Sequence, residues 1–103
     1  MSEPAARVDF GRVNAAALAA LPTLLARWLP DGRWQGDEYV ARNPQRADRR
    51  PGSFRVNRNG KWADFAMAGV SGGDVISLAA YLAGLRQVEA ARELARALGI
   101  ETT

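Results

Sequence analysis

The sequence predicts an α+β fold: a small antiparallel sheet with an N-terminal helical segment and two C-terminal helices. Three observations predict it. Ala15 to Trp28 is rich in the strongest helix formers, Ala and Leu. Asn59-Gly60 joins two runs that alternate apolar and polar residues. Val75, Leu78, Ala79 and Leu82 recur at the spacing of one buried helix face.

At 103 residues and 48% hydrophobic content the chain suits one domain, expected over 8–100 between a frayed 1–7 segment and a 101–103 tail. It has no cysteine and no histidine. Disulfides, thiolate zinc sites, cysteine nucleophiles and imidazole acid-base chemistry are therefore excluded. The longest apolar runs, Ala15 to Leu21 and Val75 to Leu82, fall well short of a membrane span, and MSEPAARVDF lacks a basic-then-apolar leader pattern. A cytoplasmic monomer with no membrane partner is the expectation.

Along the chain, Val8 to Val13 reads as a short extended lead-in, and Asn14 as the cap of a helix starting at Ala15. Pro22 splits that helix, since an interior proline loses a hydrogen bond and clashes with the preceding turn; a second short helix then starts with Pro22 in its first turn. Its stripe of Leu21, Leu24, Leu25, Trp28 and Leu29 is expected in the core, and Leu29-Pro30-Asp31-Gly32 stops it. A strand is expected from about Glu38 to Arg42, and Asn43 to Gly52, with two prolines and three arginines, is a loop.

Taken as a two-residue turn, Asn59-Gly60 pairs Val56 with Ala63, Arg55 with Asp64 and Phe54 with Phe65. Phe54, Val56, Ala63 and Phe65 then face the core, and Arg55, Asn57, Trp62 and Asp64 face outward. Next, Ser71-Gly72-Gly73-Asp74 forms a helix-entry corner at which either Ser71 or Asp74 can cap. A phosphate cradle at this corner is disfavoured, because Asp74 repels anions and no phosphate-binding lysine pattern accompanies it. Gly84 ends the first C-terminal helix. A second, from about Gln87 to Leu98, buries Val88, Ala91, Leu94, Ala95 and Leu98 and carries Arg92 and Arg96 toward its C-terminal end, where the helix dipole favours cations.

Charge is unevenly spread. Although the net charge is +3, Arg42, Arg46, Arg49, Arg50, Arg55, Arg58 and Lys61 face only Asp48 within residues 42–61. Such a cluster suits a polyanion-binding face, and it also suits a solvated arginine-rich surface. Two roles are open to Trp62: stacking on a base beside Arg55, or packing beneath the N-terminal helix. The carboxylates Asp37, Glu38, Asp48, Asp64 and Asp74 share no metal-ligand spacing, and Ser53, Ser71 and Ser77 have no nearby base. A non-enzyme without cofactor is expected.

A set of residues in consistent order carries a further signal: Tyr39, Asn43-Pro44-Gln45-Arg46, Asp48, Pro51-Gly52-Ser53-Phe54, Gly60-Lys61-Trp62, Asp64-Phe65, Gly72 to Leu78, Glu89-Ala90-Ala91 and Leu94. Through it, Leu25 to Ile100 resembles the N-terminal zinc-binding domain of bacterial-type DNA primases, most closely the variants in phage, plasmid and integrative-element primase or helicase proteins. The zinc ligands are absent. Asn43-Pro44-Gln45-Arg46 stands where those members carry Cys-Pro-x-His, and Ala66 to Gly69 stands where their second cysteine pair falls. The resemblance implies a ribbon-like sheet with trailing helices, closed by side-chain packing in place of zinc. It also implies a nucleic-acid-template role in mobile-element replication. Joined with the charge cluster, this makes a DNA-binding module the leading expectation, single-stranded DNA being favoured, with Arg42, Arg46, Arg49, Arg50, Arg55, Arg58 and Lys61 on phosphates and Trp62 stacking. The alternative is a module that docks a primase or helicase partner.

Overall fold

The computed structural model describes residues 8–45 and 52–100; the arginines Arg46, Arg49 and Arg50 lie outside them. Four helices and five strands follow in the order α1 (Phe10–Ala19), α2 (Leu21–Trp28), β1 (Arg33–Gln35), β2 (Glu38–Ala41), β3 (Phe54–Asn57), β4 (Trp62–Asp64), β5 (Ser71–Gly72), α3 (Val75–Ala83) and α4 (Gln87–Ala97). The strands form an antiparallel meander in sequence order. Its inner face, with Tyr39, Ala41, Phe54, Val56 and Trp62, joins Leu21, Leu25, Ile76, Leu78 and Leu94 in one core. The α+β architecture with helices before and after the sheet is as the sequence predicts.

The N-terminal region departs from expectation. The extended lead-in over Val8 to Val13 is absent, because Asp9 caps α1 earlier: its Oδ1 accepts from the Arg12 N–H at 3.0 Å. Asn14 therefore sits inside α1 and caps a different helix. Its Oδ1 accepts from the Ile76 N–H at 3.0 Å, and its Nδ2 donates to Asp74 Oδ2 at 3.2 Å. Asp74, the α3 cap, closes a capping box with Ser77, whose N–H donates to Asp74 Oδ1 at 2.8 Å. α1 and α3 are thus locked together at the free N–H groups of α3. The break at Pro22 is as expected, with the proline in the first turn of α2.

Two strand bounds also differ. The strand expected through Arg42 ends at Ala41, because the Arg42 N–H turns to Asp31 Oδ2 at 3.2 Å. A strand the sequence reading omits, β1, pairs with β2 across the two-residue connection Gly36-Asp37, where Gly36 takes φ 62. In α4, Val88 is only half-buried, and Ala90 takes the inward position beside Ala91.

The largest correction is the β3–β4 register. The loop holds three residues, Arg58, Asn59 and Gly60, and Gly60 alone takes a positive φ, of 92°. The Gly60 N–H donates to the Asn57 carbonyl at 2.9 Å and the Asn57 N–H to the Lys61 carbonyl at 2.7 Å, the pattern of a turn followed by a glycine bulge. Consequently Phe54 pairs with Asp64, Arg55 with Ala63 and Val56 with Trp62, one residue off the expected set. A slip of one reverses every side chain on β4. Trp62 and Asp64 turn inward, at 6% and 2% exposure, and Phe65 is left 72% exposed.

Asp64, a buried carboxylate, is held by hydrogen bonds. Asn43 Nδ2 donates to Asp64 Oδ2 and to the Tyr81 hydroxyl, each at 2.8 Å, and the Ala66 N–H donates to Asp64 Oδ1 at 2.9 Å. Gln45 Nε2 donates to the carbonyls of Tyr81 and Leu82 at 3.1 and 2.8 Å. This network ties the segment after β2 to β4 and to the C-terminal half of α3. Asn43→Ala leaves a buried carboxylate short of a donor, so it should cost about 2–3 kcal/mol, against about 1 kcal/mol for loss of the part-buried α3 cap in Asn14→Ala. Urea unfolding of the two variants measures both; equal losses would contradict the ranking.

Candidate nucleic-acid interface

The outer face of the sheet carries the polar candidates. Strand alternation places Val40, Arg55 and Ala63 in one cross-strand row, with Arg33 at one end and Ser71 at the other. The next row holds Gln35, Glu38 and Asn57, followed by Lys61 at the mouth of the loop. Val40 is buried although it lies on this face, flanked in register by Arg33 and Arg55.

Each predicted cation among the described residues has a definite setting. Arg42 Nε bonds Asp31 Oδ2 at 3.0 Å, so backbone and side chain of Arg42 grip the same carboxylate oxygen. Burial raises the Asp31 pKa, but these side-chain and backbone hydrogen bonds from Arg42 outweigh it and hold the carboxyl below its usual value. Arg55 Nη1 meets Glu38 Oε1 at 3.1 Å, and its Nε donates to the Gly52 carbonyl at 2.9 Å. The expected Arg55–Asp64 pair does not form, because the register separates them. Arg58 Nε lies 3.5 Å from Asp37 Oδ1, and its guanidinium stacks over Trp34 with its carbon 4.0 Å from the ring centroid. Lys61 is exposed and makes no ion pair among the described residues.

Those pairs lower the local charge. The seven candidate cations and Asp48 carry +6, and counting Asp31, Asp37 and Glu38 brings this to +3. Arg33, exposed in the outermost row, adds one. Exposed pairs of this kind are worth about 0–1 kcal/mol, so a phosphate can replace a carboxylate partner at small cost.

Trp62 is not on this face. Its indole Nε1 donates to Ser77 Oγ at 2.9 Å, and its ring packs 5.0 Å from that of Tyr81 and 5.9 Å from that of Phe54. Gly72 makes room for it: a Cβ there would fall 2.4 Å from the indole nitrogen. The aromatic on the outer side is Phe65, 72% exposed where the two-residue register places it in the core. Together with Glu38, Arg55, Asn57, Asn59, Lys61, Ala63 and the largely buried Trp62 it lines a shallow pocket of about 230 Å³.

The chain matches no protein-family model and no curated protein. Among the described residues, no cluster of three or more acidic side chains could hold a metal ion. No described helix is long and apolar enough to cross a membrane.

The sequence does carry a signal for Phe65. Asn57 precedes the loop and its Oδ1 accepts from the Asn59 N–H at 2.9 Å, an Asx turn that opens a type I turn and so favours the three-residue connection over the two-residue one.

Two outcomes test this geometry. Trp62→Ala should cost about 3–5 kcal/mol, as expected for a packed core aromatic, whereas Phe65→Ala should change stability by less than about 0.5 kcal/mol. The opposite ranking in thermal unfolding would restore the two-residue register. For Asp31, a native pKa below the unfolded value means that the Arg42 pair stabilises the fold above about pH 4 and that this is lost as pH falls through the lowered native value. Asp31→Asn should therefore flatten the fall in Tm across that acid range; an unchanged slope would remove the pair from the account.

Proposed function

We propose that this chain is a non-catalytic DNA-binding module, single-stranded DNA being its preferred ligand, acting in a replication system of the primase or helicase kind. The observation that carries the reading is the juxtaposition of an exposed aromatic ring, Phe65, with Lys61 and Arg55 on the outer sheet face. A solvent-exposed phenyl ring is a stacking platform that accepts any base, and adjacent cations track the phosphates. Arg33 lies in the same cross-strand row as Arg55, Arg42 stands just past the end of β2, and Arg46, Arg49 and Arg50 follow β2 in sequence. Trp62 leaves the proposed contact set, and Phe65 takes its role. The resemblance to primase N-terminal domains supports the choice of DNA.

A second reading, docking to a primase or helicase protein, is favoured by one observation on the opposite side. An apolar groove of about 600 Å³ runs between α2, α3 and α4, lined by Leu24, Trp28, Leu82, Leu85 and Leu94, with Arg27 and Glu93 also on its walls. Pull-down with and without nuclease separates the readings: capture of a primase or helicase that survives nuclease favours docking.

If about four cations meet phosphates, the affinity for a fluorescent single strand should fall with salt along a log-log slope near −3. Phe65→Ala should weaken binding by about 1–3 kcal/mol with little change in that slope, and Lys61→Ala should make the slope shallower by about 0.7. Binding that ignores salt, or no binding at micromolar protein, would sink the proposal.

A further inference from the structure

The pocket beside Phe65 has a chemical polarity of its own. It is smaller than the roughly 300–1,000 Å³ sites that enclose drug-sized ligands, and its size suits one planar ring. Its amides are oriented by the loop. Asn57 Oδ1 accepts from the Asn59 N–H at 2.9 Å and Asn59 Oδ1 from the Lys61 N–H at 3.0 Å. Both acceptor ends are therefore engaged, and the Nδ2 donor ends make no hydrogen bond among the described residues. Glu38 shows the reverse character: Arg55 holds its Oε1 at 3.1 Å, while Oε2 has no partner among the described residues.

Glu38 and Asn57 are register partners on adjacent strands, so an acceptor and a donor stand side by side. Directly paired residues have Cβ atoms about 4.5–5.5 Å apart, a separation that lets one flat ring meet both through its two edge substituents. We propose that this pocket is a single-base subsite selecting a base with an exocyclic amine at one end of its pairing edge and a carbonyl oxygen at the other. Guanine and cytosine have that edge. The amine donates to Glu38 Oε2, the carbonyl accepts from Asn57 Nδ2, and the ring stacks on Phe65. Thymine and uracil put a carbonyl at both ends, one of them against the carboxylate. Adenine has the amine without the carbonyl and leaves Asn57 unmet. This inference rests on the single-strand reading above and adds base preference to it.

Four fluorescent dT tracts test it, alike except for one central dG, dC, dA or dT. The dG or dC strand should bind about tenfold more tightly than the dT and dA strands, the effect of one good paired contact to a base edge. Whichever of the two binds more tightly identifies the base. Glu38→Ala removes the acceptor at this half-buried position and should bring the ratio near one while binding to the tract persists. Equal affinity for all four strands, or a preference that survives Glu38→Ala, overturns the subsite and leaves the single-strand reading standing. No binding to any strand overturns both.

Discussion

The conformation of Gly60 governs what this protein shows to solvent. With its φ at 92° and Asn59 in the ordinary negative region, the hairpin closes through three residues, and β4 is set one residue away from the two-residue alternative. Side chains on a strand alternate, so that single step decides the whole of β4. Trp62 goes to the core and finds Ser77 for its N–H; Phe65 is left in water. A residue other than glycine at position 60 would be strained in this backbone, and a Cβ there would meet Leu18 at 3.5 Å and Val75 at 3.6 Å, which is ordinary contact. The constraint is thus in the dihedral and not in the space around it.

The inward turn of Asp64 follows from the same step and calls for partners of its own. A buried carboxylate without donors is costly, and Asn43, the Ala66 N–H and, through Asn43, Tyr81 supply the surrounding network. Asn43 stands where the resemblance puts the first zinc ligand, and Ala66 opens the segment where it puts the second cysteine pair. Hydrogen bonds to Asp64 join the two segments in this chain. Asn43 and Asp64 are both buried, so the network fixes a geometry, and breaking one of the two leaves the other with a desolvation cost.

Much of the fold was legible because it depends on local signals. Pro22 in the first turn of α2, Asp74 before α3, and Gly84 and Gly99 at positive φ after the last two helices are rules of backbone chemistry that hold whatever surrounds them. The failures are of another kind. Asn14 looked like a cap for its own helix because sequence shows only neighbours, whereas its true partners lie 60 and 62 residues away. Trp62 and Phe65 exchanged roles because Asn59-Gly60 fits either loop length, and only the Asx turn at Asn57 separates them. The charge cluster was legible as a count, but its pairing with Asp31, Asp37 and Glu38 required the fold.

What emerges is a two-sided module: a polar sheet face centred on Phe65 and Lys61, and an apolar groove between the helices behind it. The most direct test is an NMR titration of the isotope-labelled chain with a short single strand. Shifts are expected at Arg55, Lys61, Ala63 and Phe65, with the Trp62 indole N–H, bonded to Ser77, unmoved and slow to exchange. Shifts at the Trp62 indole with Phe65 silent, or shifts confined to Leu24, Trp28, Leu82 and Leu94, would contradict the proposed sheet-face interface.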